Sequence, residues 1–90
     1  MTEANFQYLI ISYARSHGWR VYHTYDSRRS EPGFPDLVLV RREVLYRELK
    51  SEKGRLTAAQ KAWGESLTKA GANYAVWRPS MLQEIYKKLK

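Results

Sequence analysis

Asp36, Glu48 and Lys50 are the side chains whose types and spacing could do chemistry. Pro35-Asp36 opens an apolar run, Leu37-Val38-Leu39-Val40, and the polar interval Arg41-Arg42-Glu43 separates it from Leu45-Tyr46-Arg47-Glu48-Leu49-Lys50. Two short runs of Val, Leu and Tyr around a connection of hairpin length predict a β-hairpin. Side chains alternate along a strand, so Glu48 and Lys50 project to one side while Leu49 turns to the other. Asp36 enters the neighbouring strand. The pairing therefore brings two carboxylates and one ammonium to one edge of a sheet.

Two converging acids repel unless something neutralises them, and a bound cation is the usual answer. Mg²⁺ prefers oxygen ligands and keeps several waters, so Asp36, Glu48 and a backbone carbonyl are enough protein to hold it. Lys50 can then steer or deprotonate the attacking water, or stabilise charge developing on a phosphate. That is the chemistry of phosphodiester hydrolysis.

The elements that position these residues follow from the patterns around them. Thr2 can cap a helix to about His17, with Phe6, Leu9, Ile10, Tyr13 and Ala14 as its buried stripe and Gly18 as a left-handed stop. Glu3 and Gln7 share a face of that helix, and an acid in a first turn is also simply good for the helix dipole. Trp19 to Tyr25 reads as a strand. His23 on it could be a general base or, more commonly for a strand histidine, a half-buried polar residue with a satisfied hydrogen bond; His17 at a helix end reads as structural. Residues 26–35 form an irregular stretch leading into Asp36, with Asp26 and Glu31 as further carboxylates that no spacing recommends.

Beyond the hairpin, Thr57-Ala58-Ala59-Gln60 matches a capping box. It opens a helix with the inward stripe Ala59, Ala62, Trp63, Leu67 and Ala70, ended by Gly71. Tyr74 to Trp77 is a short strand, and Pro79-Ser80 starts a last helix with the stripe Leu82, Ile85, Tyr86 and Leu89. The order α-β-β-β-α-β-α implies a mixed sheet with helices packed against it, an α/β fold.

Pro35-Asp36 followed by Glu48-Leu49-Lys50 resembles the PD-(D/E)XK nuclease motif. The wider chain resembles one branch of that superfamily, the virus-type replication-repair nuclease (VRR-NUC) domain. The matching residues are Glu3, Gly18-Trp19, Gly33-Phe34-Pro35-Asp36-Leu37, Glu48-Leu49-Lys50, Gly54-Arg55-Leu56, Gln60 with Trp63, Ala70-Gly71 and Val76-Trp77-Arg78-Pro79. The bare motif is common by chance; the ordered set, spanning nearly the whole chain, is specific.

The resemblance implies a restriction-endonuclease-like αβββαβ core with a mixed sheet flanked by helices, plus a C-terminal helix. It implies a DNA endonuclease dependent on Mg²⁺, with Mn²⁺ substituting. Asp36, Glu48 and the Leu49 carbonyl would ligate the metal, Glu3 would join directly or through water, and Lys50 would be catalytic. Gln60 would stand near the active site as well as cap its helix. Stand-alone members resemble homodimeric junction-resolving enzymes, so branched DNA, four-way (Holliday) junctions foremost, is the expected substrate. Flaps, nicks or single strands remain alternative substrates, and a non-catalytic nucleic-acid-binding module or a merely solvated basic protein are alternative readings.

Composition sets the outer limits. Ninety residues, 43% hydrophobic and 13% aromatic, make one globular domain over residues 1–90. There is no cysteine and there are two histidines, which excludes disulfides and thiolate sites and disfavours zinc. No apolar run approaches the ~20 residues that span a bilayer. No signal-peptide pattern opens the chain, so it is expected in the cytoplasm of a bacterium or of a phage-infected host. Sixteen Lys and Arg against nine Asp and Glu give +7, which points to a polyanion as partner. Arg28-Arg29, Arg41-Arg42 and Lys53 with Arg55 fall in predicted loops beside the hairpin and are expected phosphate contacts. Tyr8, Tyr22, Tyr25 and Trp77 are the candidate exposed aromatics for a dimer surface.

Overall fold

A computed structural model of the chain describes residues 1–25 and 29–90; the expected roles of Asp26 and Arg28 lie outside the described residues. Local chemistry builds the elements in the expected order. Thr2 Oγ1 accepts from the Asn5 amide at 3.1 Å and starts α1, Glu3–Ser16. Gly18 takes a φ of +84° directly after it, the left-handed turn that glycine adopts without strain. Strands β1 (Arg20–His23), β2 (Leu37–Val40) and β3 (Val44–Leu49) then form an antiparallel run. Helix α2 (Ala58–Lys69) carries the chain across to β4 (Asn73–Trp77), which pairs parallel with β3. A 3₁₀ turn, Pro79–Met81, leads into α3, Leu82–Leu89. The sheet order is β1-β2-β3-β4, a mixed sheet.

Strand alternation divides the sheet into two faces. Leu37, Leu39, Leu45, Leu49 and Trp77 meet Phe6 and Ile10 of α1 and Ile85 and Leu89 of α3 in one buried cluster. The opposite face carries Asp36, Val38, Tyr46, Glu48, Tyr74 and Val76, and α2 covers its β4 side. Phe34 bridges the sheet and α2, edge-on to Tyr46 (6.3 Å) and Trp63 (5.1 Å).

Several expectations change. The first strand is Arg20–His23 rather than Trp19 to Tyr25. The Trp19 amide is taken by Ala14 O and its indole by Leu89 O, 2.9 Å away, so Trp19 locks α1 to the end of α3. Tyr25 is 86% exposed. On α2, Ala62 and Ala70 are exposed and the buried residue is Gly64. A Cβ at Gly64 would stand 2.6 Å from Tyr74 Cε2, so the helix approaches the sheet by omitting a side chain where periodicity alone expected alanines. Trp77 is not an exposed aromatic: it is 5% exposed, with the Arg47 guanidinium 4.8 Å over its ring. Arg47 also donates to Tyr46 O, Asn73 O and Asn73 Oδ1, tying β3 to β4, and burial pushes its pKa down to about 10.

Arg41 is removed from the set of phosphate contacts. It stacks on Trp19 (4.6 Å) and donates to His17 O (2.8 Å) and Lys90 O (3.1 Å). The β2–β3 connection that carries Arg41 and Arg42 also lies at the far end of the strands from Asp36 and Glu48, about 13 Å away by strand rise. Lys88 Nζ pairs with Glu43 Oε2 at 2.9 Å and ties α3 to the start of β3.

Candidate active site

Hairpin register makes the site. Leu37 faces Arg47 across the pair, so one step further Asp36 comes opposite Glu48, where the sheet opens towards the start of α2. The Asp36 backbone is held from the β1 side. Thr24 N donates to Asp36 O at 3.0 Å, and Thr24 Oγ1 donates to Pro35 O at 3.1 Å. Its side chain is held from the other side, with Oδ2 accepting from the Leu49 amide at 2.8 Å.

Gly33 explains how the preceding segment reaches this position. Its φ is +87°, and a Cβ there would lie 2.4 Å from Ala59 C and 2.7 Å from Gln60 N. The chain therefore rests backbone to backbone on the first turn of α2, two residues before buried Pro35. No other residue fits this place without strain.

Glu48 is the unusual group: a carboxyl 2% exposed. Burial pushes its pKa up, and a side-chain hydrogen bond and like charge from Asp36 push it further, to about 9; Lys50 opposes the shift and Glu3 adds to it. Two acids this close, one of them buried, favour a shared positive charge, a proton or a cation, over two bare anions.

Gln60 does two things at once. Its Oε1 accepts from Thr57 N at 2.9 Å while Thr57 Oγ1 accepts from Gln60 N at 3.1 Å, the complete capping box. Its Nε2 then donates to Glu48 Oε2 at 3.3 Å. The cap fixes the amide that Glu48 receives.

The structure thus brings together Asp36, Glu48, the Leu49 backbone and Gln60, with Lys50 next in the chain. Glu3 stays exposed at the start of α1 and reaches Glu48 only through its charge. Among the described residues no three His, Cys, Asp or Glu side chains gather as a metal cluster. Lys53 and Arg55 are exposed just after Lys50, and Arg29 is exposed ahead of Gly33. His23 is half-buried and lies against Tyr25, 4.4 Å between ring centres; His17 stacks on Tyr13, and its Nδ1 sits 2.9 Å from Tyr13 O.

Tyr74 is a site neighbour that the sequence reading passed over. It pairs with Tyr46 on the Glu48 face, and burial, then the charges of Glu48 and Asp36, raise its pKa. Strand alternation through Tyr74 and Val76 was the available signal.

The VRR-NUC domain family model matches residues 5–81. The chain belongs to the VRR-NUC domain family. Two solved VRR-NUC domain structures superpose over almost all of it. One has a TM-score of 0.75 at 28% identity, covering 99% of this chain and 95% of the other. The second has a TM-score of 0.74 at 22% identity, covering 100% and 91%. Hjc of Archaeoglobus fulgidus, a Holliday junction resolvase from an archaeal hyperthermophile, shares the fold at a TM-score of 0.57 and 22% identity, over 83% of this chain and 67% of its own. No curated protein matches the chain. Family and fold are those of a nuclease.

Proposed function

We propose that this VRR-NUC domain is a divalent-metal-dependent endonuclease that cuts branched DNA, four-way junctions foremost, as a homodimer. The observation that carries the reading is the pairing of Asp36 with Glu48, a buried carboxyl that the hairpin register sets opposite a second acid. Two oxygen donors of this kind suit hard divalent ions such as Mg²⁺ or Mn²⁺. Asp36, Glu48 and the Leu49 carbonyl would hold the ion, with Glu3 adding charge from α1. When bound, the ion polarises the phosphodiester and lowers the pKa of water.

The chain's own residues do the rest. Asp36 Oδ2 is fixed by the Leu49 amide, and the second oxygen would be left to ligate the ion. Gln60 Nε2 holds Glu48 Oε2 in place. Lys50 orients the attacking water and meets the charge that grows on the phosphate oxygens in the transition state. Lys53, Arg55 and Arg29 contact phosphates, which positions the strand without reading its sequence.

The shared fold with a Holliday junction resolvase supports the substrate class. The half of the sheet face not covered by α2 supports the second copy. Tyr22 (62% exposed), Val40 and Val44 lie open there beside the edge strand β1, an apolar strip for a two-fold contact. Two active sites related by a two-fold axis suit a junction whose strands are similarly related. The test is the oligomeric state of wild type and Val40→Lys by sedimentation, with junction cleavage alongside. The proposal expects a wild-type dimer making paired cuts and a Val40→Lys monomer that does not; a wild-type monomer making paired cuts contradicts the dimer.

A further inference from the structure

The turn that follows Lys50 is closed around a cation. Arg78 Nη1 donates to three carbonyl oxygens of that turn: Ser51 O at 2.7 Å, Glu52 O at 3.2 Å and Gly54 O at 2.7 Å. The Gly54 amide donates back to Ser51 O at 3.1 Å and completes a four-residue turn. Both oxygens of Glu52 are occupied from outside it, Oε1 by the Ser80 amide at 2.8 Å and Oε2 by Ser80 Oγ at 2.9 Å. The base of the turn is fixed by Lys50 N, which donates to Trp77 O at 3.1 Å. Gly54 leaves no room for slack, since a Cβ there would stand 2.9 Å from Ser51 Oγ and 3.4 Å from Lys50 Cδ.

This wiring sorts the turn's charges. Its carbonyl dipoles, which would repel a phosphate, point inward at Arg78. Its acid, Glu52, is turned to Ser80. The cations that remain outward are the exposed side chains of Lys53 and Arg55. A polar loop that would otherwise lose conformational freedom on binding DNA has already been ordered by six hydrogen bonds to Trp77, Arg78 and Ser80.

We infer that residues 51–55 are a preformed phosphate grip beside the catalytic edge, and that Arg78 is the positioning residue that sets it. The inference rests on the nuclease reading of the Asp36–Glu48–Lys50 site. Arg78 touches no DNA in this scheme; it acts through Lys53 and Arg55.

The experiment measures affinity for a labelled four-way junction by fluorescence anisotropy in EDTA, across a series of KCl concentrations. Wild type, Arg78→Met, Arg78→Lys, Lys53→Ala/Arg55→Ala and the triple variant with Arg78→Met are compared. Each lost phosphate contact lowers the slope of log K against log salt by about 0.9. The double variant should lose about two such contacts, Arg78→Met between one and two, and the triple variant no more than the double. Arg78→Lys, which still places a cation among the carbonyls, should keep most of the slope. In metal-dependent cleavage, Arg78→Met should raise KM with kcat held within about threefold, a split that general destabilisation would not give. A wild-type slope in Arg78→Met, or a further drop in the triple variant, overturns the role of Arg78. A wild-type slope in Lys53→Ala/Arg55→Ala, which changes only exposed side chains, overturns the grip even if Arg78→Met does not fold. Wild type failing to bind DNA at any salt would overturn the nuclease reading itself and this inference with it.

Discussion

The Leu49 amide donates a 2.8 Å hydrogen bond to Asp36 Oδ2 across the β2–β3 hairpin. One β-bridge step past the last regular pair, a backbone donor that would have continued the ladder holds a carboxylate instead. Asp36 is thereby oriented by the hairpin itself, and the geometry of the site is inherited from strand register.

The first prediction separates the charge of Asp36 from its structural bond. Asp36→Asn keeps an oxygen that can accept from Leu49 N, so the fold should hold and the melting temperature should move by only a few degrees. Cleavage should fall at least ~100-fold, the scale expected when a metal-directed or electrostatic group is lost. Melting curves beside a cleavage assay check it, and an active Asp36→Asn protein would remove Asp36 from the metal site.

Glu48 gives a pH prediction whose sign follows from its raised pKa. In the unfolded chain a glutamate titrates near ~4.3, whereas folded Glu48 does so at about 9. Between those values the folded state binds the extra proton, so the Glu48 contribution is full below the lower value and is lost as pH rises to the upper one. Metal-free wild type should therefore lose stability from pH 5 to 9. Glu48→Gln, which cannot ionise, should lose less and melt above wild type at pH 8. Thermal melts in EDTA across this range decide; parallel curves would show that Glu48 is ionised in the folded protein.

The same proton competes with a cation. Metal binding must displace it, so Mn²⁺ affinity should strengthen as pH rises towards 9. Calorimetric titration at several pH values tests this. Affinity that does not change with pH would place the ion away from Glu48.

Gln60 can be split into its two roles by substitution. Gln60→Ala loses the Oε1 half of the box while Thr57 Oγ1 still caps its backbone amide, so it should cost about 0.5–1.5 kcal/mol of stability, the worth of one hydrogen bond, as well as activity. Gln60→Glu retains an acceptor for Thr57 N but turns the donor facing Glu48 into another acceptor. It should melt near wild type at neutral pH and cut more slowly. Equal activity of Gln60→Glu and wild type would leave Gln60 as a cap alone.

Much of this was legible in local sequence. Thr2, Gly18 and the Thr57–Gln60 box act within a few residues of themselves, and the hairpin was set by alternation, so Asp36, Glu48 and Lys50 could be brought together without a structure. What could not be read depends on distant partners. Arg41 and Arg42 counted as two more cations beside a catalytic hairpin until the chain terminus and Trp19 claimed the first of them. The α2 stripe was misjudged because periodicity counts apolar side chains, whereas Gly64 packs on Tyr74 by having none. Glu3 sits on the expected helix, yet nothing in its spacing fixed how far that helix end stands from Glu48.

The measurement closest to the central claim is cleavage of a labelled immobile four-way junction by wild type and Lys50→Ala, beside matched duplex, flap and single strand, in EDTA, Mg²⁺ and Mn²⁺. Paired symmetric cuts in the junction that need the metal and vanish in Lys50→Ala, with junction binding retained, are the predicted result. Cleavage by Lys50→Ala at the wild-type rate, or wild-type cleavage undiminished in EDTA, would contradict it.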